Sequence, residues 1–177
     1  LTYCKITDKP QFKRRSYMLD ISRCRMPKVD LIKWIIDLLA DLKYNEFQLY
    51  MDSFCYKYDC FPEYTRDFDC LTPEDIEELD QYCSDRFIDL VPNQNSFGHM
   101  ASWLAQPEFA HLGLTDGVTP ANTLNPLLDE TVEFIDKLYS SLLPHFKSKY
   151  VNVGLDEAFG LGKFQTKAAC DEFGKDN

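Results

Sequence analysis

Between Lys28 and Lys43, Leu31, Trp34, Ile35, Leu38, Leu39 and Leu42 recur at i, i+3, i+4, i+7, i+8 and i+11, which predicts a one-faced amphipathic helix. Thr72-Pro73-Glu74-Asp75 sets a capping hydroxyl, a first-turn proline and two acids ahead of Ile76, Leu79 and Cys83, so a second helix starts there and runs to about Asp85. Asn125-Pro126 opens a third through Leu128, Val132, Ile135, Leu138 and Leu142, stopped by Pro144. A fourth spans Gln165 to Phe173 and ends at Gly174. Between the helices lie apolar runs of strand length, Tyr17 to Ile21, Phe47 to Met51, Phe87 to Val91 and Tyr150 to Val153. The order β-α-β-α-β-α-β-α implies parallel strands with helical crossovers. The third connection, Pro92 to Asn125, is long, carries a short extra helix at Met100 to Ala105, and has the polar and turn residues of a loop built around a site.

Two α/β architectures accept this order, the doubly wound sheet and the eight-stranded barrel. Ser22-Arg23-Cys24-Arg25 follows the first strand where a dinucleotide-binding unit would have Gly-x-Gly-x-x-Gly. The spacing suits the first four units of a (β/α)8 barrel of the TIM type, whose units average about 30 residues. With 177 residues the chain cannot complete such a barrel. A longer chain or a second subunit is therefore expected to supply the rest, because a four-stranded half leaves apolar edges unpaired. The absence of an initial Met agrees with a piece of a longer product. Residues 1–14 read as a lead-in and 15–177 as the barrel half.

Composition narrows the partners. The 29 acidic and 19 basic side chains leave a net charge of −10, which excludes nucleic acid and an anionic membrane surface as favoured partners. At 45% hydrophobic and 27% charged, the chain is neither disordered nor membrane-spanning. The first residues, Leu1 to Lys5, hold no apolar run of a signal peptide. The seven cysteines, at 4, 24, 55, 60, 70, 83 and 170, lack zinc-site spacing. Reduced thiols and a cytoplasmic location are the expectation, although Cys55, Cys60 and Cys70 are close enough for one loop disulfide.

In such folds active sites gather at the carboxyl ends of the strands. Those ends carry Asp20 to Arg23, Asp52, the stretch from Asn93 to His99, and Asp156-Glu157, with Arg15 just ahead of the first strand. Two neighbouring carboxylates in unequal surroundings separate in pKa, one ionised and one holding a proton for a leaving group. Two solvated loop acids would present the same dipeptide. His99 reads either as a hydrogen-bonded loop residue or as part of a site, and with His111 and His145 it shows no metal-ligand spacing. No metal and no cofactor are expected. No Gly-x-Ser-x-Gly elbow or P-loop occurs, which disfavours serine hydrolase and nucleotide chemistry.

Together these motifs carry a resemblance. Arg15-Ser-Tyr-Met-Leu-Asp-Ile-Ser-Arg23 followed by Pro27 resembles the Arg-Gly-x-x-Leu-Asp-x-Ser-Arg opening of the catalytic barrel of glycoside hydrolase family 20, the β-N-acetylhexosaminidases. Val91-Pro92 with Gly98-His99 resembles its Pro-Glu-x-Asp-x-x-Gly-His, and Val153-Gly-Leu-Asp-Glu157 its Gly-Gly-Asp-Glu. Thr123-Leu-Asn-Pro126 and Asn95-Ser-Phe-Gly-His-Met100 are similar to the divergent branch that includes hexosaminidase D. The resemblance implies exo-acting, retaining, substrate-assisted removal of terminal β-linked N-acetylglucosamine or N-acetylgalactosamine from a glycan or glycoside, neutral sugars compatible with an acidic surface. It implies Glu157 as acid/base and Asp156 as acceptor of the acetamido N–H. Arg15 would bind the sugar hydroxyls, His99 and Asp52 would support the acid/base, and Asn95 would border the sugar. Asn93 and Asn95 stand where the family has Glu and Asp, Cys24 where it has His, and Leu155 where it has Gly. The aromatic walls of the acetamido pocket, which the family draws from later strands, are not among these residues. Three rivals follow: a noncatalytic amino-sugar-binding protein that keeps Arg15, a retaining glycosidase with a conventional nucleophile on a later strand, and an interaction scaffold.

Overall fold

The structure is a computed structural model that describes residues 3–23, 25–65 and 69–174; Cys24 lies outside the described residues. Three strands, β1 (Ser16–Asp20), β2 (Glu46–Met51) and β3 (Asp89–Gln94), pair in parallel in the order β1-β2-β3, with Tyr17 opposite Phe47 and Phe47 opposite Leu90. The helices are α1 (Val29–Asp41), α2 (Pro62–Thr65), α3 (Pro73–Ser84), α4 (Ala101–Leu104), α5 (Asp129–Leu142) and α6 (Lys167–Phe173).

The two faces of the sheet differ because side chains alternate along a strand. Phe47, Leu49 and Met51 of β2 and Leu90 of β3 join a core with Ile32, Ile36 and Leu39 of α1 and Ile76, Leu79 and Cys83 of α3. The intervening residues form a polar face. There Gln48 accepts from the amides of both Asn93 (2.9 Å) and Asn152 (3.0 Å), and Asn93 also approaches Met18 Sδ.

Of the four predicted strands, the fourth is reduced to one parallel bridge between Asn93 and Asn152, in which Asn152 N–H donates to Pro92 O at 2.9 Å and Gln94 N–H to Asn152 O at 3.2 Å. Val151 and Val153 remain exposed, because this segment lies at the open edge beside β3 and turns away at Gly154, whose φ is +52°. The described residues thus hold three complete strands rather than four.

The face of α1 also differs from the pattern. The helix is apolar over so much of its circumference that two registers fit the helical period. The sheet and α3 bury Ile32, Ile36 and Leu39, leaving Leu31, Trp34, Leu38 and Leu42 exposed, Trp34 and Leu42 each at 60%. On α5 the buried face includes Thr131 and Ser141, which apolar counting passes over. Thr131 Oγ1 donates to Asn125 O (2.7 Å), and Ser141 Oγ accepts from Asp59 N–H (3.0 Å). The predicted start of this helix at Asn125 is instead a turn, with Asn125 Oδ1 accepting from Leu127 N–H at 3.1 Å.

The long connection after β3 is anchored by an aromatic cluster beneath it. Trp103 of α4, fully buried, meets Phe54 at 4.8 Å, Tyr58 at 5.5 Å and Phe134 at 5.5 Å between ring centroids, and Phe109 packs edge-on against Phe61 and at a tilt against Phe134. Cys4, Cys55, Cys60, Cys70, Cys83 and Cys170 are free thiols. Burial pushes Cys55 and Cys83 up to about 12, which keeps them protonated and unreactive.

At α3 the capping signal is realised as a reciprocal box, Thr72 Oγ1 accepting from Asp75 N–H and Asp75 Oδ2 from Thr72 N–H. Thr72→Ala removes one of the two bonds and is expected to cost about 1 kcal/mol in chemical denaturation. An unchanged midpoint would show that packing alone holds this helix start.

Candidate active site

Each carboxyl end of the sheet contributes one polar group or more to a single cluster. After β1, the Asp20 carboxylate accepts from Ser22 N–H (2.9 Å) and Arg23 N–H (3.1 Å), a local turn that directs Arg23 back over the sheet. The Arg23 guanidinium reaches Asp20 Oδ2 at 3.0 Å and Asp52 Oδ2 at 3.1 Å, and lies 4.9 Å from the Tyr50 ring centre. Tyr50 of β2 and Asp52, just past its end, lie two positions apart, and Arg23 meets both. After β3, Asn95 donates from Nδ2 to Tyr50 Oη at 2.5 Å, and Arg23 donates to the same oxygen at 2.9 Å. The tyrosine proton is then left for Asp52 Oδ2, 3.4 Å away.

His99 closes the cluster. Its Nδ1 stands 3.4 Å from Arg23, and its Nε2 stands 3.4 Å from Asp156 Oδ2 and 3.2 Å from Glu157 Oε2. The imidazole is therefore the link between the β1/β2 groups and the two acids. The acids turn toward one side as expected, but their surroundings are not unequal: the side chains are 60% and 59% exposed.

Two glycines make this meeting geometrically available. A Cβ on Gly98 would collide with the carbonyl oxygen of Asp156 and come within 3.1 Å of that of Glu157. A Cβ on Gly154 would strike the Asn95 side chain, with Asn95 Cα at 2.9 Å. The two loops are further tied by Ser96 Oγ donating to Val153 O at 2.8 Å. Flanking His99, Met100 N–H donates to Asn122 O and Leu124 N–H to Phe97 O, both at 2.9 Å. His99 and Glu157 have φ of +57° and +49°, left-handed values that cost a non-glycine residue about 1 kcal/mol or more and persist only where the surroundings enforce them.

Burial is the largest influence on Asp52 and raises its pKa from the ordinary value, with Arg23 pulling the other way and Asp20 adding to the rise. Tyr50 is likewise raised, first by burial. For Arg23, burial acts downward, but Asp52, Tyr50 and Asp20 together outweigh it and hold the guanidinium more firmly protonated.

Of the residues singled out in the sequence, the structure brings His99, Asp156, Glu157, Asp52 and Asn95 together and leaves Arg15 out. Arg15 sits before the first residue of β1, at the opposite end of the sheet. Its guanidinium donates to the carbonyls of Lys43 (2.6 Å) and Phe12 (2.6 Å). Strand parity explains the difference: Arg14, Ser16, Met18 and Asp20 share a face, so Arg14 is the arginine on the polar side, paired with Glu46 and 4.7 Å from the Tyr150 ring centre. The sequence places Arg23 in the polar stretch after the first strand without a role, and does not single out Tyr50. Arg23 at i+3 from Asp20, and Tyr50 at i−2 from Asp52, are the signals that identify them.

Gly98→Ala is expected to push Asp156 and Glu157 away from His99, at a stability cost of about 1–3 kcal/mol. Denaturation measures the cost, and a structure of the variant with the acids undisplaced would contradict it. Asp52 supplies a pH test. Its folded-state pKa is raised, so the stability it contributes is full below the unfolded value of 3.8 and is lost as pH rises through the higher folded value. Relative to Asp52→Asn, the wild type should lose stability as pH rises from about 3 toward 7 in denaturation series. The opposite slope would mean that the Arg23 pair outweighs burial.

The model of the glycosyl hydrolase family 20 catalytic domain matches residues 12–177. Subunit alpha of β-hexosaminidase from Rattus norvegicus is 30% identical over 168 residues, covering 86% of this chain and 31% of the relative. Subunit beta from Homo sapiens is 27% identical over 166 residues, covering 86% and 29%. Among solved structures, a chitobiase from Flavobacterium johnsoniae matches with a TM-score of 0.79 at 26% identity, over 92% of this chain and 27% of that one. An exo-β-N-acetylglucosaminidase from Vibrio harveyi, solved with N-acetylglucosamine, matches with a TM-score of 0.77 at 25% identity, over 94% and 31%. These neighbours are TIM-barrel enzymes, and this chain spans less than a third of the length of each of these relatives. By fold, by motif order and by the match over residues 12–177, the chain belongs to the catalytic domain of glycosyl hydrolase family 20.

Proposed function

We propose that this chain supplies the acid/base side of an exo-acting, retaining β-N-acetylhexosaminidase, and that it is the amino-terminal half of a TIM barrel. The observation that carries the reading is the convergence of Asp156 and Glu157 on His99 Nε2, with the Arg23–Asp52 pair behind the ring. The family relatives called β-hexosaminidase and the neighbour solved with N-acetylglucosamine support an amino-sugar glycoside as substrate.

In this mechanism the substrate's own 2-acetamido oxygen attacks the anomeric carbon. The bond to the leaving oxygen breaks as Glu157 gives that oxygen its proton. Asp156, ionised, accepts the acetamido N–H, which turns the carbonyl oxygen toward the ring and offsets the positive charge of the oxazolinium intermediate. Glu157 then takes a proton from water, which adds at the anomeric carbon and restores the acetamide with retained configuration. No enzyme nucleophile is required, so the two carboxylates can be neighbours in sequence. Their exposure here fits a pocket whose remaining wall comes from residues beyond this chain. The open edge of β1, where Tyr17 and Met18 are exposed, and the uncovered Leu31, Trp34, Leu38 and Leu42 of α1 would pack against that remainder, from the same longer chain or from a second subunit. The noncatalytic sugar-binding alternative relied on Arg15, whose guanidinium is occupied by backbone carbonyls at the far end of β1.

The test uses the full-length protein and an aryl N-acetyl-β-glucosaminide. Glu157→Gln should lower kcat by about 10²–10⁴-fold, with a smaller loss on activated leaving groups, which need less protonation. Asp156→Asn should be similarly impaired, and a thiazoline mimic of the intermediate should inhibit. Unchanged turnover in Glu157→Gln would overturn the assignment, and fast cleavage of substrates without the acetamide would point to a conventional nucleophile instead.

A further inference from the structure

We infer that Arg23 is a positioning residue that fixes the neutral His99 ring with its proton on Nε2, so that an N–H and not a lone pair faces Asp156 and Glu157. Its catalytic consequence rests on the proposed roles of those two acids; the tautomer itself does not.

A guanidinium has only donors and keeps its charge throughout the ordinary pH range. The same Nη2 that donates to Tyr50 Oη at 2.9 Å and lies 3.1 Å from Asp52 Oδ2 also stands 3.4 Å from His99 Nδ1, and an atom that faces only N–H groups there must accept. In the neutral ring the proton then belongs to Nε2. That nitrogen has carboxyl oxygens of Asp156 and Glu157 at 3.4 and 3.2 Å, and the Asp156 carboxylate, ionised in the proposed mechanism, can only accept. With the other tautomer, a lone pair would face that anion, and the Glu157 proton it would bind is the one the leaving oxygen needs.

Arg23 is itself held in place from several directions. Asp20 Oδ2 and Asp52 Oδ2 lie at 3.0 and 3.1 Å, Tyr50 Oη accepts at 2.9 Å, and the guanidinium lies over the tyrosine ring. Asp52 would compete for the imidazole proton if it bonded Nδ1 directly, since a carboxylate there requires Nδ1–H. Instead its Oδ2 is taken up by Arg23 and by the Tyr50 hydroxyl, so Arg23 is the group that meets both Asp52 and Nδ1, while the charge of Asp52 acts on the ring without a hydrogen bond. Asn95 completes the arrangement: its Nδ2–H fills the remaining lone pair of Tyr50 Oη, which sends the tyrosine proton to Asp52. A carboxylate at position 95 has no such proton when ionised and would draw the tyrosine proton toward itself.

The experiment is ¹⁵N NMR of the histidine ring nitrogens in the full-length protein, at a pH where the rings are neutral, with His99 identified by its loss in His99→Asn. The wild type should show protonated Nε2 and bare Nδ1. In Arg23→Met the proton should move toward Nδ1, facing the released Asp52, while His111 and His145 keep their signals. On the aryl glycoside, kcat should fall by roughly 10²-fold with KM little changed, and Arg23→Lys should restore part of both readouts. Protonated Nδ1 in the wild type overturns the inference, and so does an unchanged tautomer or an unchanged kcat in a folded Arg23→Met protein. If Arg23→Met does not fold, the wild-type spectrum and Arg23→Lys decide. If the tautomer responds as stated but the wild type never cleaves the amino sugar, the functional reading fails and the tautomer assignment stands.

Discussion

The loop after β3 can lie against the turn that carries Asp156 and Glu157 only because neither Gly98 nor Gly154 has a side chain. The approach of the two acids to the imidazole descends from that contact. It sets the backbone of the two acids beside His99, places Asn95 under Gly154, and leaves His99 and Glu157 in left-handed conformations that the surrounding bonds must hold. The aromatic cluster around Trp103 gives the loop a rigid base, and Ser96 Oγ and the amides of Met100 and Leu124 secure it on both sides of the imidazole.

On this frame the electrostatics have one recurring problem, the crowding of anions. Asp20, Asp52, Asp156 and Glu157 surround one permanent cation, Arg23, and one imidazole. Arg23 answers it by meeting the first two carboxylates and the ring at once. Asn93 and Asn95 answer it again: neither asparagine adds charge, and each uses its amide as a donor, Asn95 to Tyr50 and Asn93 to Gln48. Burial still dominates at Asp52, whose pKa is raised from its ordinary value despite the pair with Arg23.

Much of the fold is legible in the chain. Local signals that need no partner are realised as the sequence predicts: the box at Thr72, the short helix around Trp103, and the stop at Gly174, whose φ is +85°. The pattern and the fold part where two local solutions compete. The apolar residues of α1 satisfy the helical period in two registers, and only the sheet and α3 select Ile32, Ile36 and Leu39. Thr131 and Ser141 look like surface residues until the loops that bond them are in place. The run from Tyr150 to Val153 has the composition of a strand, but pairing needs neighbours, and beside β3 it finds enough for a single bridge.

The site divides in the same way. By itself the sequence determined the parallel α/β order, the polar ends of the strands, and His99, Asp156 and Glu157 as residues worth uniting, because those are properties of spacing and residue type along one chain. Which arginine joins them was decided by tertiary structure alone. Alternation turns Arg15 away to the carbonyls of Phe12 and Lys43, and the Asp20 turn brings Arg23 across to β2 and β3. A contact between side chains more than 70 positions apart, as between Arg23 and His99, depends on how strands are laid side by side, and no periodicity within either segment contains that information.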